Sequence, residues 1–349
     1  MGERGKARGN EMNTKTEENP KARVLEIQRM STEDGPGIRT TVFFKGCGLK
    51  CSWCHNPESI SLAPEIQWID NRCIGCRSCI EVCKFDALSI SINGVSIDRS
   101  SCTGCGVCVE ECPSTALELL GEEWTVDDLV REVIKDKAYF DKSGGGITVS
   151  GGEPGLQPKF VGAFLKRLRA EGVNTALDTC GYCSYDAYVE MLPYASMVLF
   201  DIKEANSHKH REFTGAGNEK ILENLIHVAE YIRSHPHPNT LWIRTPIIPG
   251  ATDEEKNIQG IGAFIAENIG DVVNRWELCA FNNLCRDKYI RLGREWMFHD
   301  CLLLTNEFME QRAEIAKRSG VSPDIIHWTG STRIEADRSE QPENLASHC

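Results

Sequence analysis

The sequence predicts an α/β fold with a parallel sheet, interrupted by a small cysteine-rich domain. Three observations support this prediction: short β-branched runs alternate with amphipathic segments, the alternation breaks between about residues 70 and 120, and eight cysteines lie within this break. A parallel pair of strands needs a long crossover, usually a helix, so regular alternation is typical of parallel sheets. The break therefore indicates an inserted unit.

Six runs have the length and composition of strands, and helices are expected between them. The predicted strands are residues 40–44, 147–150, 175–178, 197–202, 241–247 and 276–280. One representative helix should begin after Thr125, an N-cap residue with Asp128 three positions later. Five apolar residues share one face of this helix, which should pack on the sheet. They are Val126, Leu129, Val130, Val133 and Ile134.

The amino-acid composition restricts which classes of protein the chain can belong to. The chain has 349 residues, of which 41% are hydrophobic and 26% charged, enough apolar material for a buried core. A net charge of -12 would repel a phosphate backbone and argues against a nucleic-acid partner. No apolar run approaches the roughly 18 residues of a membrane span, and the N-terminus is polar, so we predict a cytoplasmic protein without membrane association.

The domain boundaries follow from the same patterns. Residues 1–22 and 335–349 are polar, and we predict disordered tails there. The main domain is expected to comprise residues 23–69 and 121–334, and the insert residues 70–120. A segment of this size with few large apolar residues would need covalent or metal cross-links to hold its fold.

Three cysteines follow the first predicted strand at C-x3-C-x2-C spacing: Cys47, Cys51 and Cys54. Seventeen cysteines in a reducing compartment indicate metal or redox chemistry more than disulfides. A 4Fe-4S cluster is usually held by four thiolates, so a three-thiolate loop indicates one iron open to another ligand. Structural zinc is the alternative, but closed zinc sites prefer four ligands in paired spacing, and His55 adjoins Cys54 too closely to complete one.

The surrounding residues carry a family resemblance. Residues 34–39 read DGPGIR and residues 55–58 read HNPE, and with the three-cysteine loop they resemble the glycyl-radical-enzyme activating enzymes, a branch of the radical S-adenosylmethionine (SAM) superfamily. The resemblance extends from about residue 24 to about residue 330. We therefore expect a partial parallel (β/α)6 barrel with an inserted ferredoxin-like domain.

The resemblance implies the reaction. SAM would chelate the open iron through its amino and carboxylate groups, and the reduced cluster would donate one electron that breaks the S–C5' bond. The resulting 5'-deoxyadenosyl radical would remove a hydrogen from a glycine of a large glycyl radical enzyme, under anaerobic conditions. A flavodoxin or ferredoxin would supply the electron, and the free protein is expected to be monomeric.

A glycine pair follows the second predicted strand: Gly151 and Gly152, then Glu153. By itself such a pair is more often a turn than a binding site, but ligands collect at the carboxyl ends of parallel strands. The segment matches the family motif that holds the methionyl amine. We also predict that Trp53 binds the cofactor and that Asp34 contacts the partner peptide.

Other strand ends carry polar residues. The resemblance places Lys203 and Arg244 near the methionyl carboxylate, and a monovalent cation on Asp178, Thr179 and Asp201. The alternative is that these residues form ion pairs that only close the barrel rim. Where related enzymes often carry a histidine this chain has Asn282, which we predict as a hydrogen-bonding contact to the cofactor.

The insert repeats one cysteine pattern after 29 residues. The pattern is that of bacterial ferredoxins, in which the fourth cysteine of each run ligates the other cluster. One 4Fe-4S cluster is therefore predicted on Cys73, Cys76, Cys79 and Cys112. A second is predicted on Cys83, Cys102, Cys105 and Cys108. Structural zinc is the less favoured alternative. The sequence is compatible both with clusters that relay electrons and with clusters that only cross-link the insert.

Two other functions would share part of this sequence pattern. A radical SAM enzyme acting on a small molecule would share the same cofactor motifs, and a neighbouring gene for a glycyl radical enzyme would distinguish the two. A pure iron-sulfur electron carrier would not explain the three-cysteine loop or the Gly-Gly-Glu segment. The sequence does not say whether the partner is a decarboxylase, a C–S or C–N lyase, a dehydratase or an alkyl- or arylsuccinate synthase.

Overall fold

The computed structural model describes residues 20–333. Its strands are β1 Lys21–Ser31, β2 Arg39–Phe44, β3 Glu65–Trp68, β4 Leu88–Ser91, β5 Gly94–Ile97, β6 Leu117–Leu120, β7 Glu122–Thr125, β8 Gly146–Gly151, β9 Asn174–Thr179, β10 Met197–Asp201, β11 Thr240–Ile247, β12 Val273–Ala280 and β13 Ile326–Thr329. Its α-helices are α1 Ser78–Glu81, α2 Val107–Glu110, α3 Val126–Val133, α4 Lys137–Ser143, α5 Pro158–Ala170, α6 Tyr185–Met191, α7 Ser207–Thr214, α8 Glu219–Ser234, α9 Glu255–Asn268, α10 Arg286–Arg291 and α11 Asn306–Lys317.

A mostly parallel sheet of nine strands forms the main domain, in the order β13-β12-β11-β10-β9-β8-β2-β1-β7. All six predicted strands are present, as β2 and β8 to β12, and each pairs in parallel with the next. Strands that neighbour each other in this order are wound in one direction, as in α/β barrels. Their carboxyl ends therefore meet along one edge of the sheet.

Three further strands were not predicted. The strand β13 adds a seventh parallel strand beside β12, and β1 and β7 extend the other edge in antiparallel pairing. Because β1 includes Lys21 and the buried Ala22, the predicted tail boundary at residue 22 falls inside this strand. Residues 1–19 of that tail, and the tail 335–349, lie outside the described residues.

Helices cover the sheet with apolar faces. The predicted helix is α3, where Oγ1 of Thr125 accepts a hydrogen bond from the Asp128 amide at 3.2 Å. Of its predicted apolar face, Val126, Leu129, Val130 and Val133 are buried, whereas Ile134 follows the helix and is half-buried. Within residues 20–333, no helix is long and apolar enough to cross a membrane.

The cysteine-rich segment forms a small unit with its own core. It contains two antiparallel strand pairs, β3 with β6 and β4 with β5, and the short helices α1 and α2. Because β3 pairs with β6, the unit begins at Glu65, five residues before the predicted insert boundary at residue 70. Each helix carries the buried third cysteine of its run, Cys79 or Cys108. The repeat extends to backbone conformation, since three pairs of residues 29 positions apart have positive φ. These pairs are Gly75 and Gly104, Arg77 and Gly106, and Asp86 and Thr115.

The loop of residues 32–38 is pinned against the start of β8. Arg39 is fully buried, and its guanidinium donates to Oγ1 of Thr148 and to the carbonyl oxygen of Ile147. Gly145 lies so close to this loop that a Cβ atom would stand 1.8 Å from the carbonyl oxygen of Ile38. The neighbouring Gly144 has a positive φ of 71° but faces open space.

We predict that Gly145→Ala destabilises the protein more than Gly144→Ala. The first change forces backbone apart and should cost about 3 kcal/mol or more, whereas the second adds only left-handed strain of about 1 kcal/mol. Thermal unfolding of both variants under anaerobic conditions measures the difference. Equal melting temperatures for the two variants would contradict the tight packing of this loop.

Candidate active site

A cavity of about 440 Å³ opens at the carboxyl ends of the parallel strands. Most of the predicted site residues line it, and they come from separate strand ends. They are Cys47, Cys51, Trp53 and Cys54 after β2, Gly151 and Gly152 at the end of β8, Asp178 and Thr179 on β9, Asp201 and Lys203 at the end of β10, Arg244 on β11, and Asp34 from the loop before β2. The fold thus brings together residues that lie more than 200 positions apart.

The three-cysteine loop is fixed by backbone hydrogen bonds. The Gly46 and Cys47 amides donate to the carbonyl oxygens of Ser59 and Ile60, and the Ser52 amide donates to Phe213. Burial raises the pKa of the Cys51 thiol to about 11. Because iron binds thiolates, loading this loop must displace protons from buried thiols. Three thiols facing one cavity are a suitable donor set for a cluster with one open iron.

The glycine pair is required by close packing against this loop. A Cβ at Gly151 would stand 2.2 Å from the Phe44 nitrogen, and one at Gly152 would stand 2.1 Å from the Gly46 carbonyl oxygen. The backbones are joined directly, since the Gly152 amide donates to Phe44 and the Glu153 amide to Gly46. Side chains at these positions would push the cysteine loop away from β8.

Glu153 lies beneath the glycines and is fully buried. Its carboxylate accepts hydrogen bonds from the amides of Gly155 and Cys180 and from the Thr179 hydroxyl, at 2.8–2.9 Å. Burial raises the pKa of this carboxyl, and these hydrogen bonds oppose the shift. Among residues 20–333, Glu153 is not part of the cavity lining, although it was predicted to contact the cofactor.

Charged residues alternate across the neighbouring strand ends. Lys203 donates to Asp201, and the Arg244 guanidinium lies 3.5 Å from both Asp178 and Glu277. Burial lowers the pKa of Lys203, but the negative charges of Asp201, Cys51 and Cys180 together outweigh this effect and leave the pKa raised. Burial also raises the pKa of Asp178 to about 6. Sequence reasoning missed Glu277, whose only signal was a carboxylate within the apolar run of β12.

Arg244 keeps an unused donor. Its Nε is buried and has no hydrogen-bond partner within the described part of the chain, because the 3.5 Å approach to Glu277 lacks hydrogen-bond geometry. A buried guanidinium without full hydrogen bonding is costly unless a ligand supplies an acceptor. A carboxylate in the cavity would supply it.

Residues 282–296 form a C-terminal segment that packs against the cysteine loop. The Tyr289 hydroxyl donates to the Cys54 carbonyl oxygen at 2.9 Å, and Trp296 Nε1 donates to the Ser52 carbonyl oxygen at 3.0 Å. The Asn282 backbone carbonyl lies 3.1 Å from His55 Nε2. Asn282, predicted to contact the cofactor, is not among the residues of 20–333 that line the cavity, and its Oδ1 accepts a hydrogen bond from the Leu284 amide.

A buried lysine links the same region to the insert. Lys45 donates to the Glu58 carbonyl oxygen at 2.8 Å and to the Glu65 carboxylate at 3.1 Å. Arg294 donates to the other oxygen of Glu65 at 3.0 Å. From the insert, Arg99 donates to the carbonyl oxygens of Arg291 and Leu292 at the end of α10. The insert, the cysteine loop and the C-terminal segment are therefore directly connected.

Trp53 and Asp34 line the cavity from two different loops, one after β2 and one before it. Trp53 is buried beside Phe213, with the ring centroids 6.1 Å apart. Oδ2 of Asp34 accepts hydrogen bonds from the hydroxyls of Ser31 and Thr41, which fix the loop at this rim.

The insert contains two smaller cavities lined by the two predicted cysteine sets. Cys73, Cys76, Cys79 and Cys112 line one of them. Cys83, Cys102, Cys105 and Cys108 line the other. Each cavity thus collects three cysteines from one run and the fourth from the other run, which is the arrangement that the spacing predicts.

Comparisons with known proteins assign the family. The family model described as the radical SAM superfamily matches residues 41–259. The isethionate sulfite-lyase activating enzyme of Nitratidesulfovibrio vulgaris is 39% identical over 277 residues, which are 78% of this chain and 88% of that protein. The (2S)-3-sulfopropanediol dehydratase activating enzyme of Klebsiella oxytoca is 36% identical over 281 residues, 79% of this chain and 87% of that protein.

A solved structure supports the fold alone. The radical SAM methyltransferase from Sphaerobacter thermophilus matches with a TM-score of 0.50 and 11% identity, covering 88% of this chain and 76% of that chain. The chain belongs to the radical SAM superfamily and, within it, to the activating enzymes of glycyl radical enzymes. It is an enzyme that cleaves SAM reductively and removes a hydrogen from a glycine of its partner.

We predict that Tyr289→Phe loosens the cysteine loop. The change removes one hydrogen bond to Cys54 and should cost about 1 kcal/mol of stability. It should also speed the release of iron from the catalytic loop to a chelator, measured by absorbance. The exposed Tyr139 gives the matched control, Tyr139→Phe. Identical iron release from both variants would mean that the C-terminal segment does not hold the loop.

Proposed function

We propose that Cys47, Cys51 and Cys54 hold a 4Fe-4S cluster and that SAM binds beside it in the 440 Å³ cavity. One observation carries this proposal: three cysteines line the same cavity as Arg244, a half-buried arginine whose buried Nε has no hydrogen-bond partner among residues 20–333. The cluster, when bound there, supplies the electron that cleaves SAM into methionine and a 5'-deoxyadenosyl radical.

The chain's own residues bind and orient SAM. Arg244 and Lys203 pair with the methionyl carboxylate, and Arg244 is held in place by Asp178 and Glu277. Gly151 and Gly152 leave room for the methionyl amine. The buried negative charge of Glu153 beneath them attracts the ammonium, since charges interact more strongly away from water. Trp53 excludes water from the reacting bond, and Asn282 acts indirectly by presenting its carbonyl to His55.

We assign Asp178 and Asp201 to the cations of Arg244 and Lys203 rather than to a monovalent metal ion. Both carboxylates already have these partners, and the Thr179 hydroxyl donates to Glu153.

We propose that the main domain is a partial barrel and that the insert is a ferredoxin-like domain with two 4Fe-4S clusters on the sets stated above. The repeated backbone conformations and the two four-cysteine cavities support this assignment. The apolar core of the insert is small, with Ile66, Leu88, Val95 and Leu117 as its buried aliphatic residues. Metal binding would therefore contribute much of its folding free energy.

The proposed protein substrate is a large glycyl radical enzyme whose glycine reaches the cavity past Asp34. The relatives are named as activating enzymes of lyases, dehydratases and a decarboxylase. We therefore propose the class of the partner and not one particular enzyme. The electron donor is a flavodoxin or ferredoxin, and the protein acts as a monomer in the cytoplasm.

Anaerobic incubation of the protein with SAM, a reductant and a glycyl radical enzyme encoded by a neighbouring gene tests this function. Electron paramagnetic resonance should show a glycyl radical on the partner; its absence with every neighbouring candidate would contradict the proposal.

We predict that Cys47→Ala, Cys51→Ala and Cys54→Ala each abolish SAM cleavage. The insert has a separate set of ligands, so these variants should retain about eight irons per chain. Chromatography of 5'-deoxyadenosine and an iron assay measure the two quantities. Full cleavage by any of the three variants would remove the catalytic assignment.

We predict that anaerobic reconstitution loads about twelve irons per chain, because three cubane clusters contain four irons each. Iron and acid-labile sulfide assays on the folded protein provide the measurement. Saturation near four irons would show that the insert does not hold the two clusters proposed.

A further inference from the structure

Trp68, the last residue of β3, lines the cavity formed by Cys73, Cys76, Cys79 and Cys112. The far edge of its ring packs on Gly94 in the β4–β5 hairpin, where a Cβ would stand 2.0 Å from the indole. Beyond this contact a wider groove runs between the hairpin and α10. Trp68 therefore forms the wall between this four-cysteine cavity and an open groove.

The indole nitrogen of Trp68 has no acceptor. Its Nε1 is buried and makes no hydrogen bond within residues 20–333. The Trp68 side chain as a whole is half-buried, whereas Trp276 and Trp296 are buried and do have partners. Trp276 Nε1 donates to Oγ1 of Thr245 and Trp296 Nε1 donates to the Ser52 carbonyl oxygen, both at 3.0 Å. A buried donor without a partner costs about 1–3 kcal/mol, and buried tryptophans usually satisfy theirs.

The missing acceptor is best supplied from the cavity that Trp68 lines. The four cysteines around it are the ligand set of one proposed accessory cluster, and cluster sulfurs accept hydrogen bonds from N–H donors. An N–H donor stabilises the more negative, reduced cluster and so raises its reduction potential. Water reaching the cluster would also raise its reduction potential, by an amount that varies with the number of water molecules. Trp68 would exclude this water and replace it with one hydrogen bond of fixed geometry.

We propose that the indole N–H of Trp68 donates a hydrogen bond to a sulfur of the cluster held by Cys73, Cys76, Cys79 and Cys112 and raises its potential. The proposal rests on the two-cluster insert of the proposed function. Trp68 is a positioning residue that acts through the cluster. The second accessory cluster, on the other side of the insert core, is outside its reach: Trp68 is absent from the described residues that line that cavity.

The test is an anaerobic redox titration of the full chain, followed by electron paramagnetic resonance. The catalytic cluster is recognised by its response to added SAM. In Trp68→Phe, one cluster that does not respond to SAM should shift to lower potential while the other clusters keep theirs. Trp124→Phe, in a strand that contacts neither cysteine set, is the matched control and should shift none. An unchanged or raised potential in Trp68→Phe would overturn the hydrogen bond.

A second measurement needs no substitution. In the unmodified protein, electron–nuclear double resonance of this cluster should show a proton coupling that disappears after exchange into deuterium oxide, and no such coupling would overturn the proposal. An iron assay distinguishes the role of Trp68 from the presence of the accessory clusters. About twelve irons without these signatures defeats the role of Trp68 alone, whereas about four irons defeats the accessory clusters and this inference with them.

Discussion

The buried carboxylate of Glu153 joins the ends of three strands, and the geometry of the site depends on it. Glu153 follows β8, its amide is bonded to Gly46 after β2, and its oxygens accept from Thr179 and Cys180 at the end of β9. If it were shortened, several buried donors would lose their acceptor at once, each at a cost of about 1–3 kcal/mol. The three cysteines and the cofactor cavity are therefore positioned by a residue that faces away from the cavity.

Most of the parallel strands could be predicted because they form short apolar runs that are buried on both faces. The predicted parts of β2, β8, β9, β10 and β12 are of this type, and β11 alternates buried with half-buried residues. In contrast, β1 alternates buried with exposed residues and carries several charges, so its sequence resembles a polar segment. The strand β13 is four residues long and follows the last helix without a strong apolar run. Edge strands with mixed composition give little signal in a single sequence.

The site was predictable where spacing along the chain reflects the chemistry. The cysteine sets are of this kind, and the cavities collect the residues that the spacing indicated. The direction of a side chain could not be predicted in this way, because it depends on neighbours that are distant in sequence. Glu153 faces the protein interior, and Asn282 contributes its carbonyl to His55. Tyr289 and Trp296 contact the cysteine loop although they lie more than 200 residues from it in sequence, and no local sequence pattern predicts these contacts.

The ion pair of Lys45 bears on how such enzymes gain or lose domains. Lys45 belongs to the main domain and is fully buried, yet its carboxylate partner Glu65 stands on β3, which is held by pairing with β6 at the far end of the insert. A chain shortened by removing the insert would keep a buried ammonium without its counter-ion, which is strongly destabilising. The insert is thus not a freely exchangeable module: its acquisition or deletion requires a matching change at residue 45.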